Sequence, residues 1–216
     1  MAGCSRSAPV TEERTQALPS SSAPAASRAE PAGRPVIVTF GDSLTAGVAG
    51  RSYPDDLQAL LDKRGYQYSV DNQGVSGDTS TDGLARIDNV IAAHPALVIL
   101  EFGGNDGLRG VPVASIRANL EAMIDRLRQA NIPTVLLGIT LPPNYGTDYV
   151  KTFTAMYPQI AKKYDLRFVP FLLINVYQHP EMMQPDGIHP NGAGNEVIAQ
   201  DVLSLIEPLI SGSGKK

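Results

Sequence analysis

The sequence holds one cysteine, Cys4, so no disulfide can form within the chain and no cysteine-based zinc site exists. Its three histidines are too few for a His-rich metal centre. Tryptophan is absent, and no run of about 18 apolar residues occurs, so nothing reads as a membrane-spanning helix. Basic residues are scarce relative to acidic ones, 18 against 22, and the net charge of −4 argues against nucleic acid as the main partner. What the sequence does have is 43% hydrophobic residues over 216 positions. That suffices for one core of about 150–200 residues and is awkward for two.

The two ends differ from the middle. Ala, Ser and Pro fill 18 of the first 34 positions, with no aromatic residue among them. Such a segment has too little apolar surface to offset its ordering entropy, so residues 1–34 are expected to be a disordered linker. Its opening, Met1-Ala2-Gly3-Cys4, resembles the end of a bacterial lipoprotein signal, in which the Cys carries lipid, although the charged leader and apolar stretch are not in the sequence. Two readings stand here: a lipid tether that places the protein in the periplasm or cell envelope, or a chance cysteine in a tail. Residues 211–216 read as a frayed polar end.

Between these ends, strand and helix patterns alternate. Val36–Phe40, residues 66–71, Ala96–Phe102, Pro133–Ile139 and Arg167–Phe171 read as strands. Helices are expected over Pro54–Arg64, 81–93, 113–130, 149–164 and 192–210, each with apolar residues at helical spacing or with end signals such as Pro54 and Gly65. This order predicts an α/β domain over 35–210. Its five-stranded parallel sheet would be covered by helices on both faces, in three layers. Ligands of such folds sit at the carboxyl ends of the strands.

Polar, glycine-rich segments fall at those ends. Gly41-Asp42-Ser43-Leu44-Thr45 follows the first strand, Gly74-Val75-Ser76-Gly77-Asp78-Thr79 the second, and Gly103-Gly104-Asn105-Asp106-Gly107 the third. Asp186-Gly187-Ile188-His189-Pro190 lies beyond the fifth. A serine hydroxyl becomes a useful nucleophile when a neighbouring base takes its proton, and a carboxylate can orient that base. Ser43, His189 and Asp186 supply the three groups, with Asp186 three residues before His189. Backbone N–H groups of small loops and an Asn amide suit an oxyanion.

Taken singly, each group has a plainer use. Ser43 could cap a helix, Gly77 could serve a positive-φ turn, and Asn105-Asp106-Gly107 is an ordinary turn string. All three histidines precede proline, but only His189 has an acid three residues earlier. Asp106 is expected to be a structural turn residue. Asp42 is expected to hold the nucleophile loop by hydrogen bonds.

Four blocks in order change the balance. Gly41-Asp42-Ser43-Leu44, Gly77, Gly104-Asn105-Asp106 and Asp186-Gly187-Ile188-His189-Pro190 resemble the SGNH (GDSL) hydrolase family over about residues 34–210. Residues 102–110, 141–146 and 183–190 look like its bacterial subgroup of acyl-CoA thioesterases, lysophospholipases and arylesterases. The resemblance implies a flavodoxin-like sheet and cofactor-free, metal-free hydrolysis of esters or thioesters. It implies Ser43, Asp186 and His189 as the triad, and Ser43, Gly77 and Asn105 as the oxyanion hole. Leu141, Pro142, Asn144 and Tyr145 would form a substrate loop. Thr45 stands where the family often has Ser, and also where the α/β-hydrolase elbow Gly-x-Ser-x-Gly would need its second Gly. Asn72-Gln73-Gly74 departs from the small residue usual before the second block.

The expected partner is a small acyl ester or thioester, with the protein acting as a monomer. Two alternatives carry different consequences: a carbohydrate O-acetylesterase, or a tethered binding protein of the same fold that does not turn over.

Overall fold

The computed structural model describes residues 33–48 and 50–211, together with Met1. The expectations for Cys4, for the linker up to residue 32 and for residues 212–216 fall outside these. The described residues from 33 onward fall in one compact unit.

Five parallel strands, β1 (Val36–Phe40), β2 (Ser69–Asn72), β3 (Leu97–Glu101), β4 (Thr134–Leu137) and β5 (Phe168–Val169), lie in the order β2-β1-β3-β4-β5. The helices are α1 (Ser43–Ala46), α2 (Tyr53–Lys63), α3 (Ser80–Ala92), α4 (Gly104–Leu108), α5 (Val113–Gln129), α6 (Thr147–Tyr164) and α7 (Gly192–Ile210). Packing of α2 on α7 covers one face, and α3, α5 and α6 follow one another on the other. This is the flavodoxin-like arrangement. Its strand order reverses between β1 and β3, and a crevice opens there at the carboxyl edge. No helix among the described residues is long and apolar enough to cross a membrane.

Local chemistry explains the element ends. Ser52 caps α2 through Asp55 N–H, Pro54 sits in its first turn, and Gly65 takes φ +78° just past its end. Strands β1 and β3 are central and almost wholly buried, which is why they read as continuous apolar runs. The fifth strand is shorter than the expected 167–171. Pro170 has no N–H to give the ladder, and β5 is an edge strand. The second strand begins later than expected because Tyr66 is spent on closing α2: its N–H bonds Leu61 O and its ring is buried.

Candidate active site

The short helices α1 and α4 are elements that sequence periodicity misses, and both start at the switch point. Asp42 caps α1, its Oδ1 accepting Leu44 N–H at 3.0 Å, so Ser43 is the first helical residue and not the cap. Asn105 lies in α4, where an ordinary turn was expected. Gly103 precedes α4 with φ +120°, and a Cβ there would collide with the Tyr157 hydroxyl, which donates to Phe102 O at 3.0 Å. Asp106 is no mere turn residue either. It is buried and reaches across to α3, accepting Ser80 N–H at 2.7 Å and Ser80 Oγ–H at 2.6 Å.

The loop before α7 carries the acid and the base. Gln184 N–H donates to His189 O at 2.8 Å, and Asn191 N–H to Met182 O at 2.8 Å, which closes the loop on itself. Asn191 Oδ1 then caps α7 by accepting from Ala193 and Gly194. Because α7 packs on α2, this loop arrives beside α1. Ser43 Oγ lies 2.8 Å from His189 Nε2, and His189 Nδ1 lies 2.7 Å from Asp186 Oδ2.

Proton positions follow from the acid. Burial opposes the Asp186 charge, but N–H groups of His189 and Ile188 and the His189 ring outweigh it and hold its pKa down at about 2. An ionised carboxylate only accepts, so Nδ1 carries the ring proton. Nε2 is then left to accept from the Ser43 hydroxyl.

Three groups were expected to bind an oxyanion. The N–H groups of Ser43 and Gly77 have no acceptor among the described residues, and Gly77 sits in its loop with φ +87°. The Asn105 amide is already engaged, donating to Asp78 O at 2.9 Å and to Asp42 Oδ2 at 3.2 Å. Asp42 therefore does hold the nucleophile loop, and it also holds the amide.

Beneath this loop lies Glu101, fully buried at the end of β3. Its Oε2 accepts Thr45 Oγ1–H at 3.0 Å and Asp42 N–H at 3.2 Å, while Oε1 has no partner among the described residues. Burial, and then the nearby Asp42 carboxyl, raise its pKa well above the usual carboxylate range. Asp42 is raised too, again chiefly by burial. A carboxyl whose folded pKa exceeds its unfolded value of about 4.3 opposes folding increasingly as pH rises between the two. Glu101→Gln should therefore raise the thermal midpoint at about pH 8, and raise it less at about pH 5.5. A lower midpoint at both pH values in thermal melts would contradict this.

An apolar trough of about 210 Å³ runs from Ser43, Asn105 and His189. Its walls include Leu108, Ile139, Leu141, Pro142, Phe171, Leu173, Tyr177 and Ile188. Of the expected substrate loop, Leu141 and Pro142 are in the wall. Asn144 and Tyr145 are not: they turn away in a single 3₁₀ turn over Pro143–Tyr145, and only Pro143 of that turn lines the trough. Sequence reasoning missed Phe171, Leu173 and Ile188. The signal was available, since two directly follow the fifth strand and the third lies between Asp186 and His189.

A hydroxyl, an imidazole and a carboxylate in series, at the switch point of a parallel sheet and beside an apolar trough, define a serine hydrolase. The comparisons then narrow the class. Residues 39–197 match the GDSL-like Lipase/Acylhydrolase family. Esterase TesA of Pseudomonas aeruginosa is 41% identical over 179 residues, covering 81% of this chain and 89% of that protein. Thioesterase 1/protease 1/lysophospholipase L1 of Escherichia coli is 40% identical over 180 residues, covering 81% of this chain and 85% of that one. A crystal structure of TesA superposes with a TM-score of 0.76 at 40% identity, covering 81% of this chain and 99% of that chain. The chain belongs to the GDSL-like lipase/acylhydrolase family and is a hydrolase acting on ester bonds.

Proposed function

We propose that this hydrolase cleaves acyl esters and thioesters through an acyl-serine intermediate, with the acyl chain in the trough. Ser43 Oγ attacks the acyl carbonyl as His189 Nε2 takes its proton, and Asp186 keeps the ring in the accepting tautomer and stabilises the imidazolium. The oxyanion is met by the N–H groups of Ser43 and Gly77 and by the Asn105 amide. The longer bond of that amide, 3.2 Å to Asp42, is the one an oxyanion competes with. His189 then gives its proton to the leaving alcohol or thiol, and water repeats the sequence on the acyl-serine.

The trough carries the choice of substrate. An apolar cavity of about 150 Å³ already admits benzene, and this one holds about 210 Å³ beside the nucleophile. An acetyl group would leave most of it unfilled, which favours longer acyl groups over an acetylated sugar. Lysophospholipids, aryl esters and thioesters such as acyl-CoA are then the candidate substrates; relatives bear the names thioesterase 1/protease 1/lysophospholipase L1 and arylesterase. The reading extends to lipid metabolism in the cell envelope through a lipid on Cys4, supported by the Met1-Ala2-Gly3-Cys4 opening and the Ala/Ser/Pro-rich stretch after it.

The test is a chain-length series of p-nitrophenyl esters beside acyl-CoA, lysophospholipid and acetylated sugar. Each methylene sequestered in the trough contributes about 0.8 kcal/mol. The six further methylenes of the C8 ester contribute at most about 5 kcal/mol, so kcat/KM should rise by up to about 10³-fold from the C2 to the C8 ester, and replacing residues 141–146 should flatten that rise. A C2 optimum, or a profile unchanged by the replacement, would overturn the trough assignment.

A further inference from the structure

Arg86 stands behind the site, on the face of α3 turned toward the sheet, in a segment that sequence periodicity assigns simply to a helix. Its Nε donates to Asp78 Oδ2 at 2.7 Å, Nη1 to Gln73 O at 2.8 Å and Nη2 to Gly41 O at 3.0 Å. Its guanidinium carbon lies 4.4 Å from the centre of the Phe40 ring, which ends β1, and 5.6 Å from that of Phe102, which follows β3. The side chains of Arg86 and Asp78 are only 22% and 15% exposed, so solvent screens this pair weakly.

The three acceptors are what make the residue informative. A structural ion pair needs one acid. Here two of the three partners are main-chain carbonyls, and each partner belongs to a loop bearing one of the oxyanion donors. Gly41 is two residues before Ser43, and its carbonyl also accepts Val75 N–H at 3.0 Å. Gln73 and Asp78 bracket Gly77. The Asp78 carbonyl receives the Asn105 amide at 2.9 Å. Arg109 Nη2 holds the Gly77 carbonyl at 3.1 Å, so that loop is fixed from two directions. Only the planar fork of an arginine reaches three acceptors while stacking on a ring; a lysine would be a single point charge.

We propose that Arg86 is the positioning residue of the oxyanion hole: acting through Gly41, Gln73 and Asp78, it sets where the Ser43 N–H, the Gly77 N–H and the Asn105 amide stand relative to one another. It touches no substrate. The proposal rests on the reading of those three groups as the oxyanion donors. Misplacing a catalytic group by about 1 Å can cost about 100-fold in rate, whereas binding of the acyl chain in the trough does not involve Arg86.

The experiment measures kcat and KM for a C8 ester in Arg86→Met, Arg86→Lys, Asn105→Ala and the Arg86→Met/Asn105→Ala double variant. Rates are expressed per active site titrated with a fluorophosphonate, so unfolded protein is not counted. Arg86→Met should lose about 10–100-fold in kcat with KM changed less than about threefold. Arg86→Lys should recover only part of that loss. Asn105→Ala should lose about 10²–10³-fold. Adding Arg86→Met to it should cost several-fold less than in the parent, because one of the groups that Arg86 positions has gone. Full turnover in Asn105→Ala would overturn the oxyanion reading and the proposal with it. Loss in Asn105→Ala, but unchanged kcat in Arg86→Met or equal losses in both backgrounds, would overturn the Arg86 proposal alone. Should Arg86→Met fail to fold, Asp78→Asn decides: it keeps the carbonyl that holds Asn105 and removes the arginine's charge partner. A several-fold fall in kcat at constant KM supports the proposal, and no fall overturns it.

Discussion

Replacing Ser43 by alanine should lower kcat for a C8 ester by about 10⁴–10⁶-fold, with KM little changed. The hydroxyl is 2.8 Å from the base that activates it, and no other hydroxyl among the described residues hydrogen-bonds His189. The residual rate would come from the trough and the N–H donors, which remain after the nucleophile has gone. His189→Ala should cost a similar factor. The double variant should be no worse than Ser43→Ala, because a base without its nucleophile has nothing to activate. Steady-state kinetics on the three proteins check this. A Ser43→Ala enzyme that keeps more than about 1% of the parent kcat would mean that some other group attacks.

Asp186→Asn should cost about 10⁴-fold in kcat while leaving the fold intact. The change is informative because the carboxyl has two separable roles. Its Oδ1 accepts from Ile188 and His189 N–H at 2.9 and 3.0 Å and shapes the loop, and an amide oxygen can do the same. Its Oδ2 accepts from His189 Nδ1, and there an amide would present N–H to N–H. The imidazole would then settle into the other tautomer, with its proton on Nε2 facing Ser43, and could no longer accept. Since the Asp186 pKa is held down at about 2, its charge is lost only as pH falls through that value. The loss in Asp186→Asn should therefore persist under alkaline conditions, where the parent carboxylate is fully ionised. Circular dichroism and a pH–rate profile of the variant test both halves. A loss that disappears at high pH would contradict the tautomer argument.

Much of this was legible in the sequence because the signals were local or periodic. Buried parallel strands such as Val36–Phe40 announce themselves as apolar runs, and α7 begins where Asn191-Gly192 places its cap. The chemistry at the strand ends was legible because Asp186 and His189 share a loop and the other blocks follow their strands directly. What was hidden depends on contacts between distant segments. Gly104-Asn105-Asp106-Gly107 is a poor helix former, yet it is helical because Asp106 is tied to Ser80 and Tyr157 anchors Phe102. The single turn Ser43–Ala46 is held by Asp42 at one end and by the Thr45–Glu101 bond beneath it. Glu101 closes an apolar run, so periodicity could not say whether its carboxyl faces water or the core. Asn144 and Tyr145 were placed in the trough by their position after a strand, but the Pro142-Pro143 pair turns the chain away before reaching them. Arg86 lies in a stretch expected only to be helical, and its contacts depend on the two loops that the fold brings to it.

The central claim is that four loops from distant parts of the chain assemble one reacting centre on Ser43. The most direct measurement is a crystal structure of the protein after reaction with a long-chain fluorophosphonate. The account requires phosphorus bonded to Ser43 Oγ, the alkyl chain in the trough, and the phosphoryl oxygen within about 3 Å of Ser43 N, Gly77 N and Asn105 Nδ2. Phosphorus on any other side chain, or a Ser43 adduct whose oxygen points away from all three donors, would contradict it.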